Sequence, residues 1–241
     1  MDTLLAREFA QARPELSAYL CRLVVRPQLA DDLLQGTYLR CLEAADRLPT
    51  SGRAMRAWLF TVATNLAIDQ LRRHSTWRET TLQDLRSLAR ERPEFLERSR
   101  HLVGTPETRA IAREHLVACM ACTLRNLPER KAAALLLTEM HGFSLKETAK
   151  MLEATPAQAK NWLQEGRAYL KERYGQTCAL LAKQGVCHQC LELDDFFRAG
   201  QGSPLPDRQD IEARFAVGAA WRDRPWGPWH RYMLALLDDL D

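Results

Sequence analysis

Apolar residues recur along nearly the whole chain at steps of three and four, the spacing of helices that bury one face, and the strict alternation of half-buried strands is hard to find. The pattern predicts an all-α protein. A first helical block covers residues 3–74 and is interrupted at RPQLAD (26–31) and RLPTSGRA (47–54), where loop-forming residues cluster, so three helices are expected. Residues 75–108 are rich in Arg, Glu and Ser, carry Pro93 and Pro106, and read as a linker. A second helical block spans 109–174. Beyond it, glycines and prolines surround a group of cysteines, and a last pair of helices is predicted over 207–240. The chain therefore divides into a domain at 1–75, a linker at 76–108, a second domain at 109–174 and a C-terminal extension at 175–241.

The stretch RAWLFTVATNLAIDQLRRH (56–74) carries two faces when plotted as a helix. Leu59, Phe60, Ala63, Leu66, Ala67 and Leu71 form a core-facing stripe. Opposite them run Trp58, Val62, Asn65, Asp69 and Arg72, flanked by Thr61 and Arg73, a mixture suited to a polar, anionic partner. In FSLKETAKMLEATPAQAKNWLQEGRAYLKERY, Ser144 and Glu147 match a capping box, in which hydroxyl and carboxylate satisfy the free amides of a helix start. Thr155 and Gln158 repeat it, with Pro156 in the first helical position. A short helix at 145–152, a turn at 153–155 and a second helix give helix-turn-helix spacing, with small Ala149 at the crossing. Gln158, Lys160, Asn161, Gln164 and Arg167 are expected to face outward, and such amides and bases read base edges and phosphates in a major groove.

Composition is that of a globular protein, 46% hydrophobic and 27% charged, and a net charge of +3 is too small to establish a nucleic-acid partner by itself. The start of the chain lacks a signal-like apolar core, and no later run approaches the roughly 18 residues of a membrane span, so a cytoplasmic protein without a membrane partner is expected. Seven cysteines, an odd number, argue against a disulfide framework. No α/β unit accompanies CMAC or CHQC, which weakens an enzymatic redox reading; no catalytic residue is assigned.

Together, LADDLLQGTYLRCLEAADRLP with FTVATNLAIDQLRR, and LRNLPERKAAALLLTEMHGFSLKETAKMLEATPAQAKNWLQEGRAYLKERY, resemble the second and fourth regions of bacterial sigma factors of the extracytoplasmic-function class. The resemblance implies a protein that binds core RNA polymerase, through its β′ clamp helices and β flap, and directs recognition and melting of promoter DNA. An anti-sigma factor is a further candidate partner. Carried over by position, Asp32, Leu33, Gln35, Thr37 and Leu39 belong to the polymerase-facing helix, and Trp58, Asn65, Asp69, Arg72 and Arg73 lie against separated DNA strands. Gly36, Glu153, Trp162 and Glu165 depart from the family pattern, the last two where arginines are frequent. The alternative is a stand-alone helix-turn-helix regulator, which leaves the first block unexplained.

Cys119 and Cys122, with Cys187 and Cys190, make two CxxC pairs, the four soft ligands of a structural zinc, with Cys178 and His188 as spare candidates. Buried thiols and a reversible disulfide remain alternatives for the same residues. The resemblance again bears on this, because CALLAKQGVCHQC is similar to a segment of sigma factors that carry a matching upstream pair. Farther on, Trp229, Tyr232, Met233, Leu236, Leu237 and Leu240 form an amphipathic stripe ending in Asp238, Asp239 and Asp241. The extension is expected to pack on the second block as a built-in brake, its acids held near the DNA-reading surface.

Overall fold

The computed structural model describes residues 2–44, 47–50, 52–73, 117, 120–121, 123–177 and 211–224. Every regular element among them is helical. The first block forms helices α1 (Asp2–Val24), α2 (Pro27–Glu43) and α3 (Gly52–Arg73), each packed on the other two. Leu16, Leu20 and Leu23 of α1 meet Leu34 of α2 and Leu59, Phe60, Ala63 and Ala67 of α3 in a shared core. One polar link crosses it, Tyr19 Oη to Thr64 Oγ1 at 2.8 Å, so neither buried hydroxyl goes unsatisfied.

The first expected interruption is shorter than its composition suggests. Pro27 occupies the opening of α2, where a missing amide costs nothing, so only Val25 and Arg26 separate the helices. Val25 takes a φ of 58°, uncommon for a β-branched residue, with its side chain buried and its amide donating to the Cys21 carbonyl at 2.9 Å. The second interruption also ends early, since α3 already begins at Gly52.

In the second block, α4 (Glu129–Leu135) runs into a π-helical turn (Leu136–Met140). Residues 132–137 are apolar on all sides and all buried, as a helix at the centre of a domain must be. The widened turn closes with the His141 amide donating to the Leu136 carbonyl at 3.1 Å, and Gly142 then reverses the chain at a φ of 69°. Next come α5 (Leu145–Met151) and α6 (Pro156–Thr177), each started by its capping box. The Ser144 amide donates to Glu147 Oε2 at 2.8 Å and the Glu147 amide to Ser144 Oγ at 3.3 Å. At the second start the Thr155 amide donates to Gln158 Oε1 at 2.9 Å and the Gln158 amide to Thr155 Oγ1 at 3.2 Å. Close crossings rest on small residues: Ala149 is buried, and a Cβ on Gly166 of α6 would fall 2.3 Å from Leu135 Cδ1.

Of the predicted last pair of helices, the first is present as α7 (Ile211–Ala220), packed on the π-helical turn and on α6. The expected second helix, with the stripe from Trp229 to Leu240 and the terminal acids, lies outside the described residues, as does the linker 76–108.

Glu153, in the turn between α5 and α6, adopts a φ of 51° and is exposed. An L side chain there costs about 1–2 kcal/mol, part of which glycine returns as unfolded-chain entropy. Glu153→Gly is therefore expected to stabilise the protein by about 0.5–1 kcal/mol in denaturant unfolding, whereas Glu153→Ala leaves the backbone strain in place.

Candidate nucleic-acid interface

Helix α6 separates its duties by side. Ala159, Gly166 and Leu170 are buried and Trp162 and Leu163 half-buried, while Ala157, Lys160, Asn161, Gln164 and Ala168 are exposed. The exposed set contains two amides and a base near a helix start, the chemistry that meets base edges and phosphates. Gln158 is exposed as well, but its amide oxygen already serves the cap.

Arg167 is half-exposed and already has a partner within the fold: its Nε donates to Glu139 Oε1 at 2.9 Å and its Nη2 reaches the same oxygen. The carboxylate sits on the π-helical turn, so the guanidinium ties α6 to that turn while 41% of the side chain stays accessible. The departures at Trp162 and Glu165 have similar causes. Trp162 packs against the core, and Glu165 pairs with Lys131 of α4.

On α3, Asn65, Asp69, Arg72 and Arg73 are exposed, while Trp58 and Val62 are half-buried against the core. The fold thus brings Asn65, Asp69 and Arg72 onto one line. With Ile68 they form one wall of a cavity of about 200 Å³ whose other wall is Arg130, Leu152 and Glu153 of the second block. Arg130 is anchored there by donating from Nη1 to the Leu152 carbonyl at 3.1 Å.

On α2 the expected polymerase-facing residues divide. Asp32, Gln35 and Leu39 are exposed, and with exposed Gln28 they continue at alternating steps of four and three, the spacing of a seam that lies along partner helices. Leu33 and Thr37 are buried, and Thr37 Oγ1 donates to the Leu33 carbonyl at 2.7 Å. Both belong to the core: one residue along a helix turns a side chain by about 100°, which takes Leu33 off the seam beginning at Asp32. The six candidate metal ligands, Cys119, Cys122, Cys178, Cys187, Cys190 and His188, lie outside the described residues.

Residues 9–76 match the family model described as Sigma-70 region 2, and residues 118–170 match that described as Sigma-70, region 4. The chain belongs to the extracytoplasmic-function class of sigma factors. It is 27% identical over 178 residues to the RNA polymerase sigma factor SigZ of Bacillus subtilis (strain 168), covering 74% of this chain and 86% of that protein. To the RNA polymerase sigma factor CarQ of Myxococcus xanthus it is 28% identical over 170 residues, 70% of this chain and 87% of the relative. As a sigma factor it acts in transcription initiation.

The region 2 and region 4 modules of this sigma factor meet at a charged contact that periodicity did not reveal. Glu15 of α1 accepts from Arg56 Nε at 2.9 Å and Nη2 at 2.5 Å, and from His141 Nδ1 at 3.0 Å. Arg56 also donates from Nη2 to the His141 carbonyl at 2.8 Å and lies 4.2 Å from the centre of the Phe143 ring. His141, 1% exposed, stands edge-on to Tyr19 and against Phe60. Exposed Arg53 adds an outer tie to Glu147 at 3.0 Å. Residues 15, 56 and 141 lie far apart in the chain, and no local pattern pairs them.

Burial pushes His141 down to about 4, against the hydrogen bond to Glu15. For Glu15 burial works upward but is outweighed by the bonds from His141 and Arg56, which bring it to about 2. We assign an ionised Glu15 and a neutral His141 whose Nδ1–H points at the carboxylate.

Both shifts act in the same direction. As pH falls from 6.5 towards 4, the unfolded chain takes up a proton on His141 that the folded chain refuses; below 4.5 the stabilisation from ionised Glu15 is lost as well. Arg22 and Arg56 face this pair from α1 and α3 and oppose a charged imidazole, while Arg222 approaches Glu15 from the turn after α7 at 3.9 Å. Stability should therefore fall as pH drops below 6.5, by on the order of 2–3 kcal/mol from His141. His141→Asn, which keeps an N–H donor without a titrating ring, should flatten the upper part of that slope in equilibrium unfolding.

Proposed function

We propose that this sigma factor docks on core RNA polymerase through the exposed seam of α2, opens the promoter along the polar face of α3, and reads the upstream promoter element with α6. The observation that carries this reading is that three helices of satisfied bundles each keep a separate exposed polar face. Asp32, Gln35 and Leu39 suit paired helices such as the β′ clamp, and Leu39, 59% exposed, is a large apolar side chain in search of a partner surface. Asn65, Asp69, Arg72 and Arg73 combine an amide, a carboxylate and guanidiniums that hydrogen-bond an unstacked base and neutralise phosphates. On α6, Lys160 meets phosphate while Asn161 and Gln164 address base edges. The family likeness supports the β flap as the seat of the region 4 module, and an anti-sigma factor as a candidate partner.

Leu39→Glu should abolish co-elution with core polymerase in gel filtration. Asn65→Ala with Arg72→Ala should leave core binding intact but reduce open-complex formation by about tenfold or more, as expected from losing one or two contacts of 1–3 kcal/mol. Full promoter opening by the double variant would assign the α3 face to another task.

We further infer that Cys119, Cys122, Cys187 and Cys190 hold one structural zinc. The support is chemical: two CxxC pairs supply four soft thiolates, the set that a structural zinc takes. Metal analysis of freshly purified protein should find about one zinc per chain, lost in both Cys119→Ser and Cys187→Ser. Metal-free protein with unchanged melting would exclude the site.

A further inference from the structure

The turn that follows α7 is gripped by the first helix of the region 2 module. Arg22, 2% exposed, donates from Nη1 to the Arg222 carbonyl at 3.1 Å and from Nη2 to the carbonyls of Trp221 at 2.6 Å and Arg224 at 3.0 Å. Carbonyls at and just past a helix C-terminus lack intrahelical donors and carry partial negative charge, so a buried guanidinium is a fitting cap. The neighbouring Arg222 approaches Glu15, Nε to Oε1 at 3.9 Å, which joins this grip to the charged contact between the modules. On its other side α7 presses on region 4. Phe215 and Ile211 are buried, and a Cβ on Gly218 would stand 2.5 Å from Met140 Cε of the π-helical turn, so helix and turn meet without room for a methyl group.

We propose that the C-terminal segment is an autoinhibitory clasp, tying α1 of region 2 to the π-helical turn of region 4 and holding the melting face of α3 closed against the helix-turn-helix. The inference rests on the reading of α3 as the melting face. In this arrangement Asn65, Asp69 and Arg72 look across the cavity at Arg130, Leu152 and Glu153. At about 200 Å³ that space is below the roughly 300 Å³ at which small-molecule pockets begin, far short of a strand of several nucleotides. Asn65, Asp69 and Arg72 are open to solvent but hemmed in by the opposite wall, whereas Lys160, Asn161 and Gln164 lie outside the cavity, so the block falls on melting and leaves duplex reading free. This differs from a brake made by acids covering α6.

The make-up of the contact suits a device that opens. Arg22, Arg56, Glu15 and His141 place ionic and polar groups beside the apolar contact of Phe60 with Phe143, and water can satisfy each of them after separation. A surface that binds only the open form, such as core polymerase, then shifts the population towards it.

The test uses the full chain with Arg22→Gln, which removes the fork, and Gly218→Leu, which pushes α7 from its seat on region 4. Small-angle scattering reads module separation, circular dichroism reads folding, and holoenzyme assays read promoter opening. Both variants should remain helical, show a larger radius of gyration, and open the promoter at least about threefold faster than wild type, as a shifted closed–open equilibrium requires. Folded variants with unchanged dimensions and opening would overturn the clasp. If neither folds, the pair Arg53→Cys with Glu147→Cys, bridged by a reducible bis-methanethiosulfonate linker that spans the reach of the two long side chains, decides, with wild type treated in parallel. Bridging should suppress opening at least about tenfold and reductant should restore it; full opening while crosslinked would refute the proposal. Variants that expand but open the promoter no faster than wild type would instead count against the reading of α3 as the melting face, leaving scattering to judge the clasp.

Discussion

A partly buried carboxylate between two helical modules sets the terms for much of this molecule. Glu15 is tolerated in the interior because donors from α3 and from the end of the π-helical turn converge on it. Removing any one of them would leave a buried charge or a buried donor without its counterpart, which costs more than the complete set contributes. The network therefore fixes where the modules meet more than how strongly. The orientation of α3 and α5, and with it the separation of the melting face from the helix-turn-helix, follows from that placement.

Each functional helix solves the same problem, how to be core and contact surface at once. In α3 the small residues Ala63 and Ala67 allow close packing beneath Asn65 and Asp69, so the polar side chains project from a rigid base. In α6 buried Ala159 and Gly166 do the same for Lys160, Asn161 and Gln164. Rigid backing matters for recognition because contacts held in place lose less freedom on binding.

What the sequence made legible was local or periodic. The two capping boxes could be read from residues three apart, and both are formed with reciprocal bonds at Ser144 and Thr155. Periodicity also divided α3 correctly between core and exposed residues around Asn65 and Asp69. Where long-range contacts decide, local patterns are silent. Leu33 and Thr37 share a helix with the exposed seam yet are buried, and Arg167 is paired with a carboxylate 28 positions earlier in the chain. The grip of Arg22 on Trp221, Arg222 and Arg224 joins residues about 200 positions apart, beyond the reach of any local pattern.

The π-helical turn at Leu136–Met140 carries a consequence for how this sigma factor tolerates change. Its bonds close over five residues where an α-helix closes over four, so it winds one extra residue into nearly the same rotation and rise. Glu139 within it reaches Arg167, and His141 just beyond it reaches Glu15. The turn is thus a store of one residue of length: deleting an apolar residue there would return it to ordinary winding with His141 still near its carboxylate, whereas inserting one more would turn His141 by about 100° and separate the modules. In this segment the chain tolerates loss better than gain.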